Sequence, residues 1–289
     1  MEAVLISAQL KPNYTAIQKR WGDSRTPERL IAHYELERRL ADRLRAGSQG
    51  ERSGLYGEVY SKLFDSLPDH PQKISSALPA RRVADRMRLL VPLLKPDAVY
   101  LEVGCGSAAL PFAIAGLAGE VLGLDVTDAL IDFTAAPSNF RFVKTEGVEI
   151  PLADSSVDLA HSDQLMEHLH TEDAEPQLRE INRILKPGGQ YLCATPSRVT
   201  GPHDISVFFD EVATGFHMRE YDYRSLRDLL LKTGFSRVRF PLVFRGFRLA
   251  TPPYRVLRGI ELGLQAAPAR LRRGRLAGIL MGVTALATK

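Results

Sequence analysis

The sequence predicts an α/β fold: a doubly wound, mostly parallel seven-stranded sheet with helices on both faces and an antiparallel last strand. Two observations support this prediction. From residue 99 onward, short apolar runs alternate with amphipathic segments, which is typical of βαβ units. In "GFSRVRFPLVFRGFRL", two β-rich runs are separated only by Pro241. Because so short a connection leaves no room for a crossover helix, it favours a closing antiparallel pair.

Residues 1–78 are predicted to form a helical lid that precedes the sheet. The segment "PERLIAHYELERRLADRLRAG" places apolar residues at helical spacing, and this helix is expected to end at Gly47. A second helix follows the polar break "GSQGERSG" and carries Tyr56, Tyr60 and Phe64 at helical spacing. These rings either pack in a core or cover a ligand from the lid.

Residues 79–250 are predicted to form the main domain. Its strands are expected at 99–103, 121–126, 140–145, 157–162, 190–195 and 235–240. Its helices are expected at about 79–94, 107–118, 128–135, 173–185 and 224–232. The long segment 197–222 follows the carboxyl end of a strand, where substrate loops are found, and is predicted to bind substrate.

Composition narrows the class of protein. The two cysteines, Cys105 and Cys193, lie in apolar strand-like surroundings and predict buried thiols, with no disulfide framework and no metal site. The first residues lack the basic start and long apolar core of a signal peptide, so a cytoplasmic location is expected. Residues 254–289 carry a net charge of +6, which leaves −2 for the rest of the chain. This balance argues against nucleic acid as a partner.

Residues 251–289 are predicted to form a basic and apolar helical extension. The apolar run from Leu276 to Thr288 is too short to span a bilayer. We expect it to pack on the main domain or on a second copy of the chain. A homo-oligomer is therefore one of the alternatives. Peripheral contact with an anionic membrane surface is the less favoured alternative.

The stretch "YLEVGCGSAALP" joins an apolar strand to a glycine turn, Gly104-x-Gly106. The second strand delivers Asp125 to the same edge of the sheet, 21 residues after Gly104, where a carboxylate can accept both hydroxyls of a ribose. The turn fits the dinucleotide fingerprint as well. However, Glu102 places negative charge beside the ligand, which suits a cation and is poor for a pyrophosphate.

The downstream segments "FVKTEGVEIPLADSSVDLAHSDQLMEHL" and "LREINRILKPGGQYLCATPS" decide between these ligands. Together with the turn, they resemble the class I S-adenosylmethionine-dependent methyltransferases of the type-11 branch, over about residues 80–240. The resemblance implies S-adenosylmethionine as cofactor and S-adenosylhomocysteine as product. The residues that it implies for cofactor binding are Glu102, Gly104, Cys105, Gly106, Asp125, Val126, Glu146, Gly147, Asp163, Gln164, Leu165 and His168.

Within that set, Asp125 matches the ribose carboxylate of the family. Glu146 matches the acidic residue that reads the adenine amino group. Because Glu146 replaces the commoner aspartate, the resemblance leaves open that the Gly147 amide takes over this contact. Ala108 stands where many members have a third glycine, so the loop is expected to be slightly less open.

Methyl transfer from a sulfonium needs alignment of the reactants, and it needs a base only where the acceptor must lose a proton. Two histidines near the strand ends, His168 and His203, are the candidate general bases, although His168 is equally suited to brace the fold. The candidate substrate residues are Tyr56, Tyr60, His203, Phe208 and His217. No ligand spacing indicates a metal.

The sequence therefore favours methyl transfer to a hydroxyl of a small molecule, such as a sugar or a natural-product intermediate. The bulk of the lid and of loop 197–222 supports a large acceptor, and the histidines favour oxygen. Three alternatives stay open: N-methylation of a natural product, methylation of a quinone or lipid, and S-adenosylmethionine binding without turnover.

Overall fold

The computed structural model describes residues 8–71, 80–272 and 282–289. The helices are α1 (Tyr14–Trp21), α2 (Pro27–Ala46), α3 (Gln49–Ser66), α4 (Ala80–Leu90), α5 (Ala109–Ile114), α6 (Thr171–Ile184), α7 (Tyr223–Lys232), α8 (Tyr254–Ala266) and α9 (Ala269–Arg272). The strands are β1 (Val99–Val103), β2 (Glu120–Asp125), β3 (Phe140–Lys144), β4 (Val157–Asp163), β5 (Leu185–Pro196), β6 (Arg237–Arg239), β7 (Leu242–Phe244), β8 (Phe247–Ala250) and β9 (Gly282–Thr288).

The main sheet has seven strands in the order β3-β2-β1-β4-β5-β9-β6. The five strands from β3 to β5 are parallel, whereas β9 runs antiparallel to both of its neighbours. Side chains alternate across the sheet, so Tyr100 and Leu101 enter separate buried clusters on its two faces. The α/β fold class, with its mostly parallel seven-stranded sheet and antiparallel strand, is confirmed.

The C-terminal segment corrects the prediction of a wholly helical extension. Helices α8 and α9 are present, but residues 282–288 form β9, which lies inside the sheet between β5 and β6. Val283, Ala285 and Ala287 are fully buried in the cluster on one face of the sheet, and Leu286 is buried in the cluster on the other face. The apolar end that prompted the membrane alternative is therefore sheet core. The rest of that run, 276–281, lies outside the described residues.

Two further expectations were wrong. Between β2 and β3 the predicted helix at 128–135 is replaced by a loop with one short turn of 3₁₀ helix at Phe133–Ala135. The runs around Pro241 do not pair with each other, because β6 pairs with β9 while β7 pairs with β8. The reversal occurs at Arg245 and Gly246, whose φ angles of 50° and 76° are those of a tight hairpin turn.

The N-terminal helices carry clear start signals. Thr26 Oγ1 accepts a hydrogen bond from the Arg29 amide, and a Ser48–Glu51 capping box starts α3. Gly54, with a φ of 82°, kinks α3 after its first turn. The predicted boundary between lid and main domain, at residues 78 and 79, lies outside the described residues. Within the described parts of the chain, we find no helix long and apolar enough to cross a membrane.

If β9 is part of the sheet core, a charge at its centre must destabilise the fold. We expect Ala285→Asp to lower the free energy of unfolding by about 3 kcal/mol or more, because a buried, unpaired carboxylate has no compensating partner. Urea unfolding followed by circular dichroism measures this change. Leu271→Asp, at a position that is 56% exposed, is the control and should change stability little. Equal stability of the two variants would contradict the buried strand.

Candidate functional site

A cavity of about 300 Å³ lies at the carboxyl ends of β1, β2 and β4, which is where parallel sheets bind ligands. Eleven of the twelve cofactor residues implied by the sequence line it: Glu102, Gly104, Cys105, Gly106, Asp125, Val126, Gly147, Asp163, Gln164, Leu165 and His168. The exception is Glu146, whose side chain is exposed and faces an adjoining surface pocket.

The glycine turn brings backbone to the cavity wall. The amides of Gly104 and Cys105 donate to the Leu124 carbonyl, at 2.7 and 3.1 Å. Gly104 has a φ of 76°, and a side chain there would meet Leu165 at 3.0 Å. Gly106 has a φ of 51°, and a Cβ at this position would point into open space. Because neither glycine carries a side chain, a ligand in the cavity can approach the backbone of the turn closely.

Two carboxylates border this turn, and neither is bonded to a lysine or arginine side chain in the described structure. Asp125 accepts the Gly106 amide at 2.8 Å and the Val126 amide at 2.7 Å. Glu102 is 6% exposed and lies 3.3 Å from His161 Nδ1. Burial raises the pKa of both carboxyl groups above their ordinary values. A bound cation would relieve this desolvation.

Asp163, at the end of β4, is bound from one side. Its Oδ2 accepts a hydrogen bond from Arg86 Nε at 2.6 Å. Its buried Oδ1 has no hydrogen-bond partner within the described part of the chain. Since Asp163 lines the cavity, this free oxygen is available to a ligand donor. The exposed Arg82 also lines the cavity, and the sequence analysis did not identify it.

Three aromatic residues of helix α3, Tyr56, Tyr60 and Phe64, line the cavity. The helix is held down by Arg52, which is 1% exposed and donates to Asp173 Oδ2 at 2.6 Å from Nε and to Oδ1 at 2.9 Å from Nη2. This two-pronged pair joins α3 to α6 in a buried setting.

The two tyrosines of the lid have different roles in the fold. The Tyr56 hydroxyl donates to Asp173 Oδ2 at 2.7 Å and accepts the His170 amide at 2.8 Å, so it is fixed. The Tyr60 hydroxyl has no hydrogen-bond partner among the residues that the structure describes, and its ring packs against Phe216 and His168. Tyr60 therefore keeps a polar group available at the cavity wall.

His168 lines the cavity within a cluster that also contains Glu167 and His217, all three offering polar atoms within 4.8 Å of one another. Burial lowers the pKa of His168 to about 3 and raises that of Glu167 to about 7. Burial opposes protonation of His217, but its hydrogen bond to Glu220 and the charge of Glu167 raise its pKa to about 9. The raised pKa of His217 fits its ion pair with Glu220, at 2.9 Å between Nδ1 and Oε1.

Three of the residues predicted from sequence lie elsewhere. His203 does not line the cavity: its Nε2 lies 2.9 Å from Thr200 Oγ1 and 3.2 Å from the Ser197 carbonyl oxygen, and its amide donates to Glu220. Phe208 is 1% exposed and packs in a buried cluster with Leu30. His217 is buried behind His168, at 4.9 Å between ring centroids, and does not line the cavity. These three side chains of loop 197–222 therefore pack within the fold and do not reach the cavity.

Sequence reasoning missed Gln177 of α6, which lines the cavity while only 3% exposed. A signal was present. In "AEPQLREINRI", Gln177 lies three residues after Ala174 and four before Ile181, so it is a polar residue on the buried stripe of an amphipathic helix. Buried polar side chains of this kind need a partner.

The family described as "Methyltransferase domain" matches residues 101–193, which cover β1 to β5 and the glycine turn. The resemblance to S-adenosylmethionine-dependent methyltransferases is confirmed by this match and by the relatives below.

Two relatives extend the comparison beyond this methyltransferase domain. A probable S-adenosylmethionine-dependent methyltransferase of Mycolicibacterium smegmatis is 36% identical over 155 residues, which are 52% of this chain and 56% of that protein. Demethylmenaquinone methyltransferase of Staphylococcus carnosus is 27% identical over 154 residues, 50% of this chain and 63% of that protein. The chain thus spans little more than half the length of the curated relatives it matches.

The fold of the methyltransferase domain also matches solved structures. The 1,6-didemethyltoxoflavin-N1-methyltransferase of Burkholderia thailandensis, solved with 1,6-didemethyltoxoflavin and S-adenosylhomocysteine, superposes with a TM-score of 0.54 at 16% identity. The match covers 84% of this chain and 91% of that one. At this identity the likeness establishes the fold.

The different anchoring of the two tyrosines can be tested by removing one hydroxyl at a time. Tyr56→Phe should lower the free energy of unfolding by about 1–2 kcal/mol, because two buried hydrogen bonds are lost. Tyr60→Phe should leave stability within about 0.5 kcal/mol of the parent protein. Urea unfolding measures both. If Tyr60→Phe is the more destabilising of the two, the assignment of these hydroxyls is wrong.

Proposed function

We propose that this chain transfers the methyl group of S-adenosylmethionine to a small-molecule acceptor. One observation carries the proposal: the cavity beside the glycine turn is bordered by the desolvated carboxylates of Glu102 and Asp125, with no lysine or arginine bonded to either among the described residues. A dinucleotide pyrophosphate beside the turn would place two negative charges near Glu102. A ligand with an ammonium and a sulfonium suits this acidic wall.

The other polar groups of the cavity fit the same ligand. The Asp125 oxygens each accept one backbone amide and keep lone pairs for the hydroxyls of a ribose. Asp163 keeps Oδ1 for an ammonium donor. Arg82 lies at the wall, where a guanidinium can pair with a carboxylate. Relatives named as S-adenosylmethionine-dependent methyltransferases, and a neighbour of the same fold with bound S-adenosylhomocysteine, support this reading.

When bound, the cofactor supplies an activated methyl group on a sulfonium leaving group. The chain's own residues then have to align an acceptor with that methyl and exclude water. We assign both tasks to helix α3, because its Tyr60 and Phe64 line the same cavity as the glycine turn. The buried pair between Arg52 and Asp173 holds this cover in place.

We propose that His168 accepts the proton that the acceptor hydroxyl loses when it is methylated. Its Nδ1 is buried and has no partner in the described structure, and the ring is neutral because burial lowers its pKa to about 3. A neutral imidazole can accept a hydrogen bond from an acceptor hydroxyl and orient it. As the oxygen is methylated, its proton becomes strongly acidic, so even this weak base can take it. His203, outside the cavity, has no such role.

An acceptor hydroxyl on a sugar or natural-product intermediate is our first choice for the substrate. A quinol ring is the second candidate, since one relative named demethylmenaquinone methyltransferase matches half of this chain and aromatic side chains line the cavity. Turnover assays with S-adenosylmethionine and each acceptor class distinguish them: an O-methyl product supports the first, a methylated ring carbon the second.

Calorimetric titration tests the proposed function directly. We expect S-adenosylhomocysteine to bind one site per chain, and NADH not to bind, because its pyrophosphate would lie beside the buried carboxylate of Glu102. Preference for NADH over S-adenosylhomocysteine would overturn the proposal.

We expect Glu102 to lower the stability of the unliganded protein and to strengthen cofactor binding. Because its folded-state pKa is raised, the native state holds more protons than the unfolded state, and its ionisation lowers stability as pH rises through that raised pKa. Glu102→Gln removes this cost. We expect a higher Tm than the parent at pH 7, a smaller difference near pH 4, and about tenfold weaker S-adenosylhomocysteine binding. Differential scanning calorimetry and titration measure these; unchanged binding would contradict the role of Glu102.

His168→Gln should lower kcat by about 10²-fold or more, the range for loss of a positioned proton acceptor. Since His168 is neutral throughout pH 6–9 by its pKa of about 3, the parent enzyme should show no inflection in kcat from this group in that range. Steady-state assays across pH with an accepted substrate provide the readout. His203→Gln is the matched control and should retain kcat. An equal loss of kcat in both variants would contradict the role of His168 as proton acceptor.

A further inference from the structure

Gln177 has one half of its amide unused. The side chain is 3% exposed and lines the cavity, and its Nε2 donates to the Gly147 carbonyl at 3.3 Å. Its Oε1 is buried and has no hydrogen-bond partner among the described residues. Leaving a buried acceptor unpaired costs about 1–3 kcal/mol, which a ligand donor would recover.

The neighbours of Gln177 at this end of the cavity are already engaged. Thr145 Oγ1 donates to the Glu149 carbonyl at 2.6 Å and accepts the Gly147 amide at 3.2 Å. The Tyr56 hydroxyl both donates and accepts within the fold. The sequence analysis gave Glu146 and the Gly147 amide as the candidates for contact with adenine. The Gly147 amide is bonded to Thr145, and the Glu146 side chain is exposed and does not line the cavity.

The Gly147 carbonyl also fixes the orientation of the amide. A carbonyl can only accept, so it holds the NH₂ group of Gln177 and directs Oε1 away from itself. Turning the amide over would set two acceptors against each other. The site therefore presents a fixed acceptor, with the second N–H of Nε2 beside it. This pair matches an amino group next to a ring nitrogen.

We propose that Gln177 reads the adenine amino group of the cofactor and sets the preference for adenine over hypoxanthine. This inference rests on the proposed function. It moves the adenine contact from Glu146, where the family resemblance placed it, to α6. Hypoxanthine has a carbonyl oxygen in place of the amino group, and that oxygen would face Oε1.

The test compares calorimetric binding of S-adenosylhomocysteine and S-inosylhomocysteine to the whole chain. We expect the parent protein to bind the adenosyl compound at least about tenfold more tightly. Gln177→Met keeps the volume and removes both polar atoms. This variant should bind S-adenosylhomocysteine about tenfold more weakly and discriminate little between the two compounds.

Glu146→Gln is the matched control and should leave both affinities unchanged. Parental discrimination that survives Gln177→Met, or that is lost in Glu146→Gln, overturns the inference while the proposed function stands. Failure of the parent protein to bind either compound overturns both. If Gln177→Met does not fold, Gln177→Asn, which retracts the amide by one methylene, replaces it with the same expectation. The parent protein's preference between the two compounds needs no variant, and equal binding refutes the role of Gln177.

Discussion

Two carboxylates that are buried without a lysine or arginine partner are the constraint on which the site depends. Glu102 and Asp125 lie at the ends of neighbouring parallel strands, where backbone amides hold Asp125 and His161 lies beside Glu102. Folding buries both carboxyl groups at an energetic cost, and this desolvation raises the pKa of each. A cationic ligand recovers part of that cost, so the same interaction that weakens the unliganded fold selects the charge of the ligand.

The second requirement is a cover that excludes water, and the chain builds it from its N-terminal helices. Arg52 of α3 and Asp173 of α6 form a buried ion pair, and Tyr56 adds a hydrogen bond to the same carboxylate. Removing one member of such a pair leaves a buried charge uncompensated. Helix α3 is thus joined to α6, the helix that carries Gln177 at the cavity wall.

Much of this architecture could be predicted from the sequence, because local patterns determine it. Alternating apolar runs indicated the parallel strands, and the order Glu102, Gly104, Gly106, Asp125 indicated the cavity. Strand β9 could not be predicted, since a short apolar run has no periodicity that separates a strand from a buried helix. His203 and Gln177 show the same limit: whether a polar side chain faces a cavity or a backbone carbonyl is decided by tertiary packing.

The most direct test of the central claim is a crystal structure of the chain with S-adenosylhomocysteine. We expect electron density for this compound in the cavity at the glycine turn, with its ribose hydroxyls on Asp125 and its ammonium beside the acidic groups of the β1 and β4 ends. Density for the compound at another site, or an empty cavity at saturating concentration, would contradict it.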